Sequence, residues 1–93
     1  MNTEIKTCFL NSFIAQVVKI DYDDPTTFEA AKMLTATTDY RIHVIDGNFM
    51  VVLEGKDTTV QVIGNAYVVR TKEGIIMVVT ETEFKKMYSE VKP

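Results

Sequence analysis

The chain has 93 residues, of which 46% are hydrophobic and 25% charged; this is the composition of one folded domain rather than of a disordered or low-complexity segment. Thirteen acids against ten bases leave a net charge of −3, which argues against a conventional nucleic-acid binder, since such a domain carries a basic patch. A single cysteine excludes an internal disulfide and fits a reducing compartment, and no apolar run approaches the roughly 20 residues that span a bilayer.

Met1 to Lys6 lacks the shape of a signal peptide, because Glu4 interrupts it and no long apolar segment follows. Residues 1–11 read as an ambiguous, frayed start. Phe13 to Ile20 is rich in β-branched residues and reads as a strand. Asp21-Tyr22-Asp23-Asp24-Pro25 ends it. Asp24 suits a helix N-cap with Pro25 at the first position, where the missing N–H costs nothing. Thr26 and Glu29 offer a capping box one turn on. Phe28, Ala31, Leu34 and Thr35 define the inner face of this helix. The poor helix formers from Thr35 to Thr38 should stop it.

Arg41 to Ile45 resumes a strand pattern, with Ile42 and Val44 on one face and His43 on the polar one. Asp46-Gly47 is a hairpin turn, Phe49 to Leu53 a solid apolar run, and Gly55-Lys56-Asp57 another turn. Thr58 to Ile63 alternates apolar and polar residues, the mark of a half-buried strand. Gly64-Asn65 then reads as a tight hairpin into Ala66–Arg70. Lys72-Glu73-Gly74 turns into Ile75–Val79, whose apolar character on both faces predicts a central strand. Thr80 and Glu83 form a capping box worth about 1 kcal/mol. Phe84, Met87, Tyr88 and Val91 share one helical face, and burying Phe84 contributes about 2–3 kcal/mol. Glu81 and Lys85 sit four apart in the favourable order.

These elements predict one α+β domain over residues 1–93. It has an antiparallel sheet of about five strands in a meander, with two helices on one face. A chain this short buries about 60–65% of its unfolded surface, so a homodimer interface would stabilise it.

No catalytic constellation, metal spacing or phosphate loop is present, and the reading is of a non-enzymatic protein without cofactor. His43, the one histidine, has no partner by spacing and reads as an exposed strand residue. Cys8 has only Lys6 nearby in sequence to activate it and reads as an ordinary buried or tail thiol. Met33, Met50, Met77 and Met87 read as core positions. The densest acidic cluster is Asp21, Asp23 and Asp24, with Glu29 one turn on. A calcium loop would need a turn glycine that is missing here. The cluster reads first as turn and cap chemistry, because carboxylates are favoured at a helix N-terminus, and second as a partner-binding patch.

Leu53-Glu54-Gly55, then Gly64-Asn65-Ala66-Tyr67-Val68-Val69, then Lys72-Glu73-Gly74, then Thr82-Glu83-Phe84-Lys85-Lys86-Met87-Tyr88, resembles a widespread set of short bacteriophage proteins with no agreed function. Their C-terminal half commonly runs leu-glu-gly, gly-asp-tyr-ile, gly-glu-phe-tyr and phe-glu-x-thr-tyr. Ala15-Gln16-Val17-Val18 stands where they carry an opening strand. Asn65 and Ala66 replace the usual aspartate, and Ile76-Met77 the usual Phe-Tyr. The resemblance implies a phage protein made in the cytoplasm of a bacterial host, and it carries over no site residues.

The expectation is therefore a phage accessory protein that binds and inhibits a host protein without touching nucleic acid or membrane. The partner would be a DNA-binding or defence protein such as a restriction factor, met by carboxylates spaced like the phosphates of duplex DNA. A two-fold dimer would align two copies of Asp21, Asp23, Asp24, Glu29, Asp39, Asp46, Glu54 and Asp57. One alternative is a binder of a nucleotide signal, with Arg41, Arg70 and Tyr67 as pocket candidates. Another is a minor structural protein of the virion.

Overall fold

The computed structural model describes residues 3–10 and 13–90. It is a small α+β domain with two antiparallel sheets rather than one. The larger holds β1 (Lys6–Leu10), β2 (Phe13–Lys19), β6 (Ala66–Thr71), β7 (Ile76–Thr80) and β8 (Tyr88–Glu90), in the order β7-β6-β2-β1-β8. The smaller is a meander of β3 (Asp39–Ile45), β4 (Asn48–Glu54) and β5 (Thr59–Ile63). Helix α1 (Thr26–Thr35) follows β2, and α2 (Glu81–Met87) follows β7.

The start of the chain is not frayed throughout. Residues 6–10 form β1, which pairs in register with β2 and buries Cys8 and Leu10. Met1, Asn2 and Asn11 lie outside the described residues.

Asp24 caps α1: its Oδ1 accepts from the Thr26 N–H at 3.0 Å, and Pro25 already has helical torsions. The capping box expected between Thr26 and Glu29 gives way to other partners. The Thr26 hydroxyl bonds the Asp24 carboxylate at 2.7 Å and meets Thr3, while Glu29 pairs with Lys32 at 2.7 Å. Asp24 lies two residues before Thr26 and reaches its hydroxyl without unwinding the turn. Phe28, Ala31, Leu34 and Thr35 are all buried, and the helix ends at Ala36 in a left-handed conformation (φ 56°).

Asp46 and Gly47 both take positive φ (49° and 79°), the signature of the tight turn that joins β3 to β4. Gly64 also has positive φ (64°), yet it makes no hairpin. β5 pairs with β4, whereas β6 pairs with β2 and β7, so Gly64-Asn65 is a corner where the chain changes sheets. Two bonds fix it: the Gly64 N–H donates to the Phe49 carbonyl at 2.8 Å, and the Ile20 N–H to the Ala66 carbonyl at 3.0 Å.

β7, expected to be central, is an edge strand hydrogen-bonded to β6. Val79 is buried, but Ile75 and Val78 are exposed. The doubly covered strands are β2 and β6, where Val17 and Val18, and Val68 and Val69, are buried on opposite faces.

The helices lie on opposite faces of the larger sheet, against the expectation of one. One core sits between α1, the larger sheet and the smaller sheet, with Phe28, Ile20, Leu53, Val51 and Val68 at its centre. The second core gathers Leu10, Val17, Val69 and Val79 under Phe84 of α2. The Thr80–Glu83 box forms as expected: the Glu83 N–H donates to the Thr80 hydroxyl at 3.1 Å and the Thr80 N–H to the Glu83 carboxylate at 3.2 Å. Lys85 pairs with Glu81 at 3.5 Å. The helix is shorter than the apolar spacing predicts. Tyr88 leaves it to begin β8, whose backbone pairs with β1 as Leu10 opposite Tyr88; Val91 lies outside the described residues.

Candidate functional site

The four acidic candidates stand together at the entry to α1, and three of them already have local work. Asp21 Oδ1 accepts the Asp23 N–H at 2.9 Å, closing an Asx turn. The Asp21 N–H donates to the Thr27 hydroxyl at 3.2 Å, which in turn donates to the Asp24 carbonyl at 2.9 Å. Asp24 caps the helix, and Glu29 pairs with Lys32. Asp21, Asp23 and Glu29 remain exposed.

The Thr26 hydroxyl and N–H hold the Asp24 carboxyl below the ordinary aspartate range. A depressed folded-state pKa adds stability at pH values above the unfolded pKa of about 3.9, and that stability is lost as the pH falls through the folded value. Wild type should therefore lose more stability than Asp24→Asn on acidification from about pH 5 to about pH 2 in urea-denaturation series. Equal losses would remove the cap from the acid response.

Tyr22, inside the acidic turn, connects it to the smaller sheet. Its ring stacks on Phe49 at 5.1 Å, and its hydroxyl donates to the Val62 carbonyl at 3.0 Å. Burial raises the pKa of this phenol, so it stays a donor. Val51, Leu53, Val60 and Val62 of the smaller sheet are buried in the first core, but beyond Tyr22 its far end is bare. α1 packs chiefly on β2 and β6 and reaches β3 through the Phe28–Tyr40 stack at 4.9 Å. Val44 is 66% exposed, Ile63 63%, Phe49 50% and Ile42 43%. Ile42, Val44 and Phe49 share one face by register; His43, Ile45 and Ile63 share the other. Among the described residues β3 is paired with β4 alone, which leaves one edge open.

Sequence reasoning missed this apolar arm. It put Ile42 and Val44 together on one strand face and did not say what covers it; a helix presents an apolar stripe only somewhat wider than 100°, and most of that stripe here faces β2 and β6. Met33 was also expected in the core; it is 74% exposed on α1.

The remaining candidates are dispersed. Arg41 pairs with Glu54 on the outer face of the smaller sheet, beside the Asp39–Glu54 cross-strand pair. Arg70 lies opposite Gln16 on the α1 face of the larger sheet, and Tyr67 on the α2 face. His43 is exposed opposite Met50, and Cys8 is buried in the second core. No three His, Cys, Asp or Glu side chains among the described residues come close enough to hold a metal ion, and no helix there is long and apolar enough to cross a membrane.

No family model, curated protein or solved structure matches the chain.

Proposed function

We propose that this chain is a non-enzymatic phage accessory protein that binds and blunts a host protein through the acidic turn and the bare arm of the smaller sheet. The observation that carries the reading is the Tyr22–Phe49 stack. It sets exposed carboxylates, Asp21 and Asp23, beside exposed Phe49 and its cross-strand neighbour Val44. An apolar centre with a charged rim is the anatomy of a protein–protein interface, and contiguous apolar exposure marks such sites. The partner that fits has an apolar patch bordered by Lys and Arg, and Lys and Arg are what a DNA-contacting surface supplies. The phage resemblance supports a host DNA-binding or defence protein as that partner. A homodimer, which doubles the carboxylates presented, belongs to the same reading and would be seen in sedimentation velocity.

The test is capture of a host protein from bacterial lysate by wild type and by Asp21→Asn/Asp23→Asn/Asp24→Asn. Asparagine keeps one acceptor oxygen, enough for the Asp21 turn bond and for the Oδ1 cap at position 24, so the fold should survive the loss of the longer Thr3 bond. The purified partner should bind the variant about tenfold more weakly or worse, with a flatter salt dependence, and duplex DNA should compete with wild type. Unchanged affinity and salt response in the variant would sink the acidic-surface reading.

A further inference from the structure

The α2 side of the larger sheet carries three lysines around one groove of about 440 Å³. The backbone puts them there. Lys6 opens β1 opposite Val17, and Lys19 closes β2 on the same face, opposite Tyr67. Such diagonal cross-strand neighbours stand about 7–8 Å apart. Lys85 projects from α2 and completes the wall.

Lys19 and Lys85 both approach the same oxygen, Oε1 of Glu81, at 3.6 and 3.5 Å. One carboxylate oxygen thus gathers two ammonium groups, and Lys6 adds a third positive charge. Lys6, Lys19 and Lys85 against Glu4 and Glu81 leave the groove weakly positive on a chain whose net charge is −3. Glu81 already offsets part of the mutual repulsion of Lys19 and Lys85, and an anion bound among the three lysines would offset the rest.

The floor is apolar. Val17 and Phe84 are buried beneath the groove, and the Tyr67 ring lies on Phe84 at 3.7 Å between centroids and 8° from parallel. Lys19 Nζ stands 5.9 Å from the Tyr67 centroid, at the junction between the charged wall and the aromatic floor. A cavity of this size, apolar below with a few convergent charges, is what a small organic ligand requires.

We propose that this groove binds a nucleoside monophosphate. The phosphate, at about −1.5 to −2 near neutral pH, lies among Lys6, Lys19 and Lys85, and the planar base lies over the Tyr67–Phe84 floor. Lysine suits this role as a mobile point charge for phosphate oxygens. The groove faces α2 and the acidic turn leads into α1; the two meet at Thr3, which lines the groove and whose hydroxyl donates to Asp24 at 3.4 Å, but the proposal uses the lysines and the aromatic floor, which the host-protein reading does not need.

The test is titration of the full chain with AMP, inorganic phosphate and adenosine, read by calorimetry and by amide chemical shifts. AMP should bind more tightly than either fragment, and the shifts should centre on Lys6, Lys19, Tyr67 and Lys85. Lys6→Gln/Lys85→Gln changes two exposed side chains and should weaken AMP binding about tenfold or more. Lys85→Gln alone, the milder change, should weaken it in the same direction. No heat and no shifts with AMP at about 1 mM would overturn the proposal. So would equal affinity of the double variant, or shifts centred elsewhere. Adenosine binding as tightly as AMP would overturn the role of the lysines, and phosphate binding as tightly would overturn that of the aromatic floor.

Discussion

Phe28→Ala is expected to bring the chain close to global unfolding at room temperature. Phe28 is 1% exposed and is the largest fully buried side chain among the described residues. Its ring stacks on Tyr40 of the smaller sheet at 4.9 Å and meets Tyr22 at 5.8 Å, so one side chain ties α1 to both the edge strand and the acidic turn. Truncating a buried phenylalanine costs about 3–5 kcal/mol in lost burial and residual cavity. A domain of this length holds about 5–10 kcal/mol in total. The cavity cannot close by local collapse, because its walls belong to a helix and two sheets that are each held by their own hydrogen bonds. The urea midpoint should fall by more than about 2 M, since a chain this small has a slope of about 1 kcal/mol per molar. A fall of a few tenths of a molar would show that α1 does not pack on the smaller sheet as described.

The same residue shows what the sequence made legible. Phe28, Ala31, Leu34 and Thr35 were readable as a buried face because helical periodicity is local. Asp46-Gly47 and the Thr80–Glu83 box were readable for a similar reason: each is closed by atoms within a few residues of one another. Apart from the Thr26–Glu29 box, where Asp24 and Lys32 compete locally, the misread elements turn on partners far away in the chain. Gly64 supplies a positive φ whether the chain reverses within a sheet or leaves it, and nothing at Gly64-Asn65 distinguishes the two. Ile75–Val79 and Ala66–Arg70 are both apolar runs, yet β6 is covered on both faces and β7 is not, because cover is decided by β2, α1 and α2. The spacing from Phe84 to Tyr88 fits a continued helix, and only the unpaired edge of β1 makes residues 88–90 a strand. For the candidate surface, composition exposed the acids but not the bare apolar arm beside them. Residue type reports that Val44 and Phe49 prefer burial; it does not report that α1 is occupied elsewhere.

Phe84→Ala is expected to act on the other core and to fail in a different way. Phe84 is the buried residue of α2, and its ring lies flat against Tyr67 at 3.7 Å. A seven-residue helix has too few internal hydrogen bonds to persist without tertiary packing. The Thr80–Glu83 box contributes about 1 kcal/mol, too little to hold it, and the exposed Glu81–Lys85 pair adds a few tenths. Removing the ring should therefore cost about 3 kcal/mol and release α2 before the rest of the domain. β8 follows α2 directly and pairs with β1 over three residues, so its protection should fall with that of the helix. In native-state hydrogen exchange the amides of residues 81–90 should open early, while those of β2, β6 and α1 stay slow. Phe28→Ala, by contrast, should speed exchange everywhere, because its core joins both sheets. Tyr67 fluorescence should also change on loss of the stacked ring. If residues 81–90 kept wild-type protection in Phe84→Ala, the closing segment would be held by contacts other than this aromatic stack, and the assignment of the second core to Phe84 would be wrong.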